Sequence, residues 1–264
     1  MRCFLLLLAM LVSACAAAEQ RGVSLPGPDG IALQGELFLP DGPVRGPAIL
    51  ALHGCAGFRN RAGAVNGLYR EWARLFNERG QPLLLPDSFA SRGQGEQCTV
   101  RDSVIRPGRE RRTDAIAAAR WMAAQPWGAQ GVVAVGWSHG ASTVLWTAAL
   151  PEDAPIRGYV AMYPGGTAAN RSASWRSAAP MLLLIGQADD WTPAAPCEQL
   201  AGRHAGTVAF QAYPGAHHGF DAPDTPLTER TNLNTPSGRA HLGTDHAARD
   251  DARRRVPAFI DALR

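Results

Sequence analysis

Short apolar segments alternate with longer amphipathic segments along most of this chain, and this alternation limits the fold more than any other feature of the sequence. The predicted strands are 31–39, 48–52, 82–85, 131–135, 158–162, 181–185 and 208–213, and the predicted helices are 67–79, 113–125, 138–150 and 245–263. Because a strand that is apolar on both faces has to be covered on both faces, the pattern predicts an α/β fold. We expect a mostly parallel central sheet with helices on both sides.

The size and charge of the chain limit its organisation and partners. It has 264 residues, of which 46% are hydrophobic, and no linker interrupts the alternation, so we predict one domain over residues 23–264. The 26 basic residues, all arginine, nearly balance 23 acidic residues. The arginine clusters contain no alternating aromatic side chains, so a nucleic-acid-binding surface is not expected.

Residues 1–14 have the layout of a secretory signal peptide, with one positive charge, an apolar segment and a small-residue exit. The apolar segment is too short to cross a bilayer as a helix. The exit, residues 11–15, resembles a bacterial lipobox, in which cleavage precedes Cys15 and its thiol carries a lipid. Ordinary cleavage after a neighbouring alanine is the alternative. Either process predicts an exported domain, periplasmic or lipid-anchored in the bacterial envelope; no other membrane contact is expected.

Export would place the remaining cysteines in an oxidising compartment. Cys55, Cys98 and Cys197 allow one disulfide and one free thiol, with three pairings open. There is no paired Cys-x-x-Cys, and no glycine loop of the phosphate- or nucleotide-binding type occurs. We therefore expect neither a metal nor a cofactor.

The segment Gly136-Trp137-Ser138-His139-Gly140 is a Gly-x-Ser-x-Gly element between a predicted strand and a predicted helix. A sharp turn there needs glycine on either side, and it would expose the Ser138 hydroxyl at the end of the sheet. The helix N-terminus would point at developing negative charge. The pattern predicts Ser138 as a nucleophile.

A serine hydroxyl needs a base, and the base needs a carboxylate that orients it. His217 and His218 follow the last predicted strand, and Asp189 and Asp190 follow the strand at 181–185. The resulting order Ser, Asp, His is the order of one serine hydrolase architecture. The residues by themselves leave both histidines and both aspartates open.

A tetrahedral intermediate needs two preorganised hydrogen-bond donors for its oxyanion. One candidate is the backbone N–H of His139, at the start of the predicted helix. The other is the backbone N–H of Cys55, in the loop 53–57 that follows the strand at 48–52. We expect His53 to hold that loop in place.

These segments resemble the dienelactone hydrolase family of the α/β-hydrolase superfamily. The matching segments are 52–55, 86–89, 136–140, 186–193 and 213–220. The resemblance implies a triad of Ser138 as nucleophile, Asp189 as acid, from the family spacing Gly-x-x-Asp, and His218 as base, since the family histidine precedes a small residue and phenylalanine. Asp190 and His217 are the alternates. The enzyme that names the family has a cysteine at the elbow position, so the resemblance implies ester chemistry but not the dienelactone substrate.

The pocket should be bordered by the loop segment 88–93, where Arg92 is a candidate for pairing with a substrate carboxylate. The alternative for Arg92 is a surface position or a salt bridge within the protein. Trp137 and Trp191 flank the nucleophile and the acid and are candidates for the pocket wall.

We expect a serine hydrolase that cleaves small-molecule esters or lactones through an acyl-enzyme. The alternatives are a peptidase or an acyltransferase on the same triad, and a catalytically inactive binding module anchored in the envelope.

Overall fold

An eight-stranded sheet runs through the computed structural model, which describes residues 19–149 and 154–263. Its strands are β1 (Glu19–Pro26), β2 (Ala32–Leu39), β3 (Ala48–Leu52), β4 (Leu83–Pro86), β5 (Val132–Trp137), β6 (Ile156–Met162), β7 (Met181–Gly186) and β8 (Val208–Tyr213). A separate two-stranded sheet consists of β9 (Thr228–Thr231) and β10 (Arg239–Leu242). The helices are α1 (Gly67–Glu78), α2 (Glu110–Ala123), α3 (His139–Ala149), α4 (Thr167–Arg171), α5 (Ala194–Arg203) and α6 (His246–Ala262).

The strand order of the large sheet is β1-β2-β4-β3-β5-β6-β7-β8. The β1–β2 and β2–β4 pairs are antiparallel, and the pairs from β4 through β8 are parallel. Every residue of β3, β4, β5 and β7 is buried, which requires cover on both faces of the sheet. The predicted single α/β domain with a mostly parallel sheet is confirmed.

The sheet is contacted by helices α1, α2, α3, α5 and α6. Helix α2 packs against α3, and α1 is joined to α6 by ion pairs, including one between Arg79 and Asp261 at 2.5 Å. The sequence did not predict α4 or α5, nor the strands β1, β9 and β10. Because β1 lies at the sheet edge with six of its eight residues exposed, and β9 is exposed throughout, neither shows an apolar pattern. Strand β1 spans Glu19–Pro26 and therefore contains residue 23, the predicted start of the domain.

The structure selects one of the three cysteine pairings. Cys55 and Cys98 form a disulfide, and Cys197 is free and buried. The predicted signal peptide at residues 1–14 and the lipidation candidate Cys15 lie outside the described residues. Within the described ranges, no helix combines the length and the apolar character needed to cross a membrane.

A buried carboxylate, Asp221, joins three parts of the fold near the carboxyl ends of the strands. Its Oδ2 accepts hydrogen bonds from the indole N–H of Trp72 in α1 (2.8 Å) and of Trp137 in β5 (2.9 Å). Its Oδ1 accepts from the hydroxyl of Tyr163, the residue after β6 (2.7 Å). Asp221 is 2% exposed, so all three donors depend on it for a buried acceptor.

We expect Asp221→Ala to lower the free energy of unfolding by about 3–5 kcal/mol, because it leaves three buried donors without an acceptor. Asp221→Asn keeps the volume and one acceptor oxygen, so its loss should be smaller. Urea denaturation of both variants measures the difference. A loss below about 1 kcal/mol for the alanine variant would contradict a structural role for this carboxylate.

Burial raises the pKa of Asp221 above its ordinary value, although the hydrogen bonds from Tyr163, Trp137 and Trp72 oppose the shift. Between the ordinary value of about 3.9 and the raised value, the folded protein binds more protons at this group than the unfolded chain does. The stability of the wild type minus that of Asp221→Asn should therefore decrease as pH rises from about 4. Denaturation curves over a pH series measure this difference, and an increase would refute the expected sign.

Candidate active site

Ser138 lies in a sharp turn between β5 and α3. Its φ is +54°, a strained conformation for a residue with a side chain, and its N–H donates to the carbonyl of Met162 at 2.9 Å. Both flanking glycines are required by space, since a Cβ on Gly136 would overlap the carbonyl of Gly140, and one on Gly140 would overlap that of Leu52. The expected Gly-x-Ser-x-Gly turn is present, with Ser138 at the carboxyl end of β5.

A continuous chain of hydrogen bonds joins Ser138, His218 and Asp189. The Nε2 atom of His218 lies 2.9 Å from Ser138 Oγ, and its Nδ1 lies 2.8 Å from Asp189 Oδ2. Asp189 and His218 are each 4% exposed, and Ser138 is 9% exposed. When Nδ1–H donates to the carboxylate, Nε2 is left free to accept the serine proton. This geometry suits proton removal from the serine hydroxyl.

The carboxylate and the imidazole are both held in position by neighbours. Asp189 Oδ1 accepts from the backbone N–H groups of Trp191 (2.9 Å) and Thr192 (2.8 Å), and Oδ2 accepts from the Thr192 hydroxyl (2.9 Å). The ring of His218 contacts the rings of Tyr163 and Trp191, with centroid separations of 4.7 and 4.8 Å. These contacts restrict the rotation of both side chains.

The backbone amides of Cys55 and His139, the two expected oxyanion donors, lie on the two segments next to Ser138 in space, the loop after β3 and the start of α3. The loop after β3 passes close to the serine, since a Cβ on Gly54 would lie 3.6 Å from the Ser138 Cβ. The Gly54 N–H is already used by the Tyr69 hydroxyl at 2.9 Å, and Cys55 follows it at the wall of the pocket. His139 is the first residue of α3, so its N–H has no acceptor within the helix.

A buried guanidinium lies next to the start of α3. Arg111 is 1% exposed, and its Nη1 donates to His139 Nδ1 at 2.8 Å, while its Nε and Nη2 have no hydrogen-bond partner among the described residues. Burial and the charge of Arg111 lower the pKa of His139 to about 3, so this imidazole is neutral near pH 7. The positive charge of Arg111, although Asp114 and Asp87 lie near enough to offset part of it, adds to the helix dipole in favouring negative charge near the N-terminus of α3.

His53 has the structural role expected from its position. It is fully buried, its Nδ1 lies 2.8 Å from the carbonyl of Gly54, and its ring contacts Phe89 edge-on at 4.7 Å. Burial, and then the nearby Arg111, hold the pKa of His53 well below its ordinary value. A neutral imidazole therefore fixes the start of the loop that carries Cys55.

An open cavity of about 580 Å³ lies in front of Ser138 and His218. Its wall includes Trp137 and Trp191, as the sequence predicted, and further apolar side chains: Leu68, Ala222, Leu233 and Leu242. Arg230 of β9 contributes a cationic side chain. The cavity is therefore mostly apolar, and its polar side chains include Asn66, Thr225, Arg230 and Thr231 in addition to Ser138 and His218.

The structure decides between the two interpretations of Arg92 in favour of a salt bridge within the protein. Both terminal nitrogens of its guanidinium donate to the carboxylate of Asp114, each at 2.6 Å, and Arg92 does not line the cavity. Asp114 lies in α2 and has a side chain that is only 1% exposed. The guanidinium, a candidate for binding a substrate carboxylate, thus binds an internal one, and this contact ties the loop after β4 to α2.

The alternates Asp190 and His217 lie outside the hydrogen-bonded chain of Ser138, His218 and Asp189. Asp190 accepts from the backbone N–H and from the Nδ1 of His241, both at 2.8 Å. The ring of His217 lies 5.5 Å from that of His241. Of the two aspartates, Asp189 therefore belongs to the hydrogen-bonded chain of Ser138, and Asp190 lies in a cluster with His241. Of the two histidines, His218 belongs to that chain, and His217 lies in the cluster.

Sequence reasoning missed Tyr163, Thr192 and Asp221. Tyr163 directly follows a predicted strand, so the search of strand ends that found Asp189 should also have included it. Thr192 carries a weaker signal, since a hydroxyl three residues after an aspartate is common in turns. Asp221 and His241 had no local signal, because their partners are distant in the sequence.

Several solved structures share this fold. A putative dienelactone hydrolase from Klebsiella pneumoniae superposes with a TM-score of 0.69 at 18% identity, covering 94% of this chain and 100% of that one. A dienelactone hydrolase-like promiscuous phosphotriesterase from metagenomic libraries gives 0.68 at 20% identity, with 94% and 99% covered. A dienelactone hydrolase from Anabaena variabilis gives 0.64 at 18%, also with 94% and 99% covered.

The family is shown by the sequence itself. No curated protein matches the chain closely enough to count as a relative. The model of the dienelactone hydrolase family, by contrast, matches residues 33–263, which include the whole site. The chain is therefore a hydrolase of the α/β-hydrolase fold, and it belongs to the dienelactone hydrolase family.

Proposed function

We propose that this hydrolase cleaves small carboxylic esters or lactones through a covalent acyl-enzyme on Ser138. The observation that carries the proposal is the hydrogen-bonded chain from Ser138 Oγ through His218 to Asp189, with links of 2.9 and 2.8 Å. Ser138, at one end of these hydrogen bonds, lies in a strained turn and lines a mostly apolar cavity. A buried serine, histidine and aspartate joined in this way, and following one another along the sequence in the order Ser, Asp, His, form the arrangement of a serine nucleophile with its base.

In the acylation step, Ser138 Oγ attacks the carbonyl carbon of the substrate while His218 Nε2 takes the hydroxyl proton. Asp189 stabilises the imidazolium that forms. The carbon–oxygen bond of the ester then breaks, and His218 returns the proton to the leaving alkoxide oxygen. In a lactone that oxygen stays attached to the acyl group, so the product of this step is a hydroxyacyl-enzyme.

The backbone N–H groups of Cys55 and His139 are the proposed donors to the tetrahedral oxyanion. They lie on the two segments that flank Ser138, and α3 and the buried Arg111 add a positive potential there. By mutational precedent, one such donor contributes about 3–4 kcal/mol to the transition state. The disulfide from Cys55 to Cys98 ties one donor loop to the loop after β4.

In deacylation, water replaces the serine as the nucleophile that attacks the acyl carbon, and His218 again acts as the base. The cavity of about 580 Å³ is of a size suited to small ligands, for which pockets commonly span about 300–1,000 Å³. Its largely apolar lining favours a compact acyl group over an extended peptide. Membership of a hydrolase family supports water, and not an alcohol, as the group that resolves the acyl-enzyme.

We also propose that the signal peptide at residues 1–14 directs export of the domain, and that Cys15 then carries a lipid. The disulfide between Cys55 and Cys98 supports this proposal, since such bonds persist in oxidising compartments outside the cytoplasm. A lipid on Cys15 would keep the hydrolase at a membrane surface, where a second interaction or acyl chain makes anchoring stable.

Substitutions at the site test the proposed roles. Ser138→Ala removes the nucleophile and should lower kcat toward a p-nitrophenyl ester by at least about 10⁴-fold. His218→Ala should lose nearly as much activity, and far more than His217→Ala, because of these two histidines it is His218 that is hydrogen-bonded to Ser138 Oγ. Steady-state kinetics and circular dichroism of the folded variants provide the comparison. A greater loss for His217→Ala would overturn the assignment of the base.

Fractionation of cells tests the anchor. If Cys15 carries a lipid, Cys15→Ala should move the protein from the membrane fraction to the soluble fraction, because a thiol is needed for lipidation. Ser13→Ala keeps the thiol and serves as the matched control. Unchanged membrane association of Cys15→Ala would rule out the lipoprotein proposal while leaving the hydrolase proposal unaffected.

A further inference from the structure

Asp190, His217 and His241 converge from three separate segments beside the proposed triad. Asp190 follows β7, His217 follows β8, and His241 lies in β10. Each offers one ligand atom, and the three atoms lie within 4.8 Å of one another. We propose that these residues form a binding site for a divalent transition-metal cation, with Zn²⁺ as the best match to the ligand set.

The chemistry of the ligands selects the class of cation. Two imidazoles and one carboxylate suit Zn²⁺ and its neighbours in the first transition row, whereas Ca²⁺ and Mg²⁺ prefer oxygen ligands throughout. In tetrahedral Zn²⁺ sites the ligand atoms lie about 3.3 Å apart, from bond lengths near 2.0–2.1 Å. The side chains of Asp190 and His241 are 45% and 41% exposed, so they have room to adjust to the spacing that a bound ion requires. Three protein ligands leave a fourth position for water.

A second observation points to the same site. The Nδ1 atom of His217 is buried and has no hydrogen-bond partner among the described residues. A buried polar nitrogen without a partner is uncommon in folded proteins and carries a free-energy cost. The ring of His217 lies 5.5 Å from that of His241, whose Nδ1 already contacts Asp190 at 2.8 Å. Metal binding would give this histidine a partner that the protein does not supply.

The cation would connect the β9–β10 hairpin to the loops of the active site. Leu242, which follows His241, pairs with His218 in a parallel bridge, and Gly243 N–H donates to the His218 carbonyl at 3.1 Å. Arg230 and Leu242 of the hairpin line the cavity. A metal bound by His241, Asp190 and His217 would therefore fix one wall of the cavity relative to the loops that carry the proposed acid and base.

Isothermal titration of Zn²⁺ into the full chain, after removal of metals by a chelator, tests the site. We expect saturable binding of one ion that His241→Ala and His217→Ala each weaken at least tenfold. His246→Ala is the matched control, because His246 is an exposed histidine at the start of α6 outside the cluster, and it should leave the affinity unchanged. Mg²⁺ should give no comparable binding. Asp190→Asn, which keeps the side-chain volume, replaces any alanine variant that does not fold.

Two further measurements separate a specific site from surface binding. At about 100-fold excess over Kd, Zn²⁺ should raise Tm by about 5–10 °C in the wild type, and this shift should disappear in His241→Ala. Hydrogen exchange in residues 228–242 should slow when Zn²⁺ binds. The proposal is overturned if Zn²⁺ does not bind at concentrations up to about 1 mM, or if His241→Ala binds it as tightly as the wild type. Neither result depends on esterase activity.

Discussion

The close approach of helix α3 to the ends of β3 and β5 is the constraint on which the whole site depends. Gly136 and Gly140 have no room for a side chain, and this contact holds Ser138 at a φ of +54°. The strain is offset by fixed hydrogen bonds, including one from Ser142 N–H to the Ser138 carbonyl at 2.8 Å. The same approach brings the first amide of α3 and the loop after β3 to the serine. The packing of α3 therefore determines the positions of both the nucleophile and the proposed oxyanion donors.

The Asp221 network extends this order from the core to the imidazole. Trp137 immediately precedes Ser138, and Tyr163 contacts the ring of His218 at 4.7 Å. Both side chains donate hydrogen bonds to the same carboxylate, that of Asp221. A buried polar network gives a unique geometry only when its members are satisfied, and here three donors share the two oxygens of Asp221. The positions of nucleophile and base are thus coupled through the protein interior, in addition to their direct contact.

The sequence predicted the buried strands and the serine turn because their residues carry local signals, namely apolar runs and paired glycines. It did not predict β1 or β9, since exposed edge strands lack an apolar pattern. The residues alone left His217 and His218 equivalent, because which imidazole reaches Ser138 depends on packing against Tyr163 and Trp191. The residues alone left the role of Arg92 open for a related reason, since its partner lies in a helix 22 residues away. Contacts between distant segments, as at Asp221 and His241, had no sequence signal.

The central claim is that Ser138 is an activated nucleophile in the folded protein. The most direct test is to incubate the purified protein with a fluorophosphonate and to locate the adduct by mass spectrometry. We predict a single adduct on Ser138 that is absent when the protein is denatured before labelling, since activation requires His218 and Asp189 in place. Failure of the folded protein to form this adduct would contradict the account and favour an inactive binding module on the same fold.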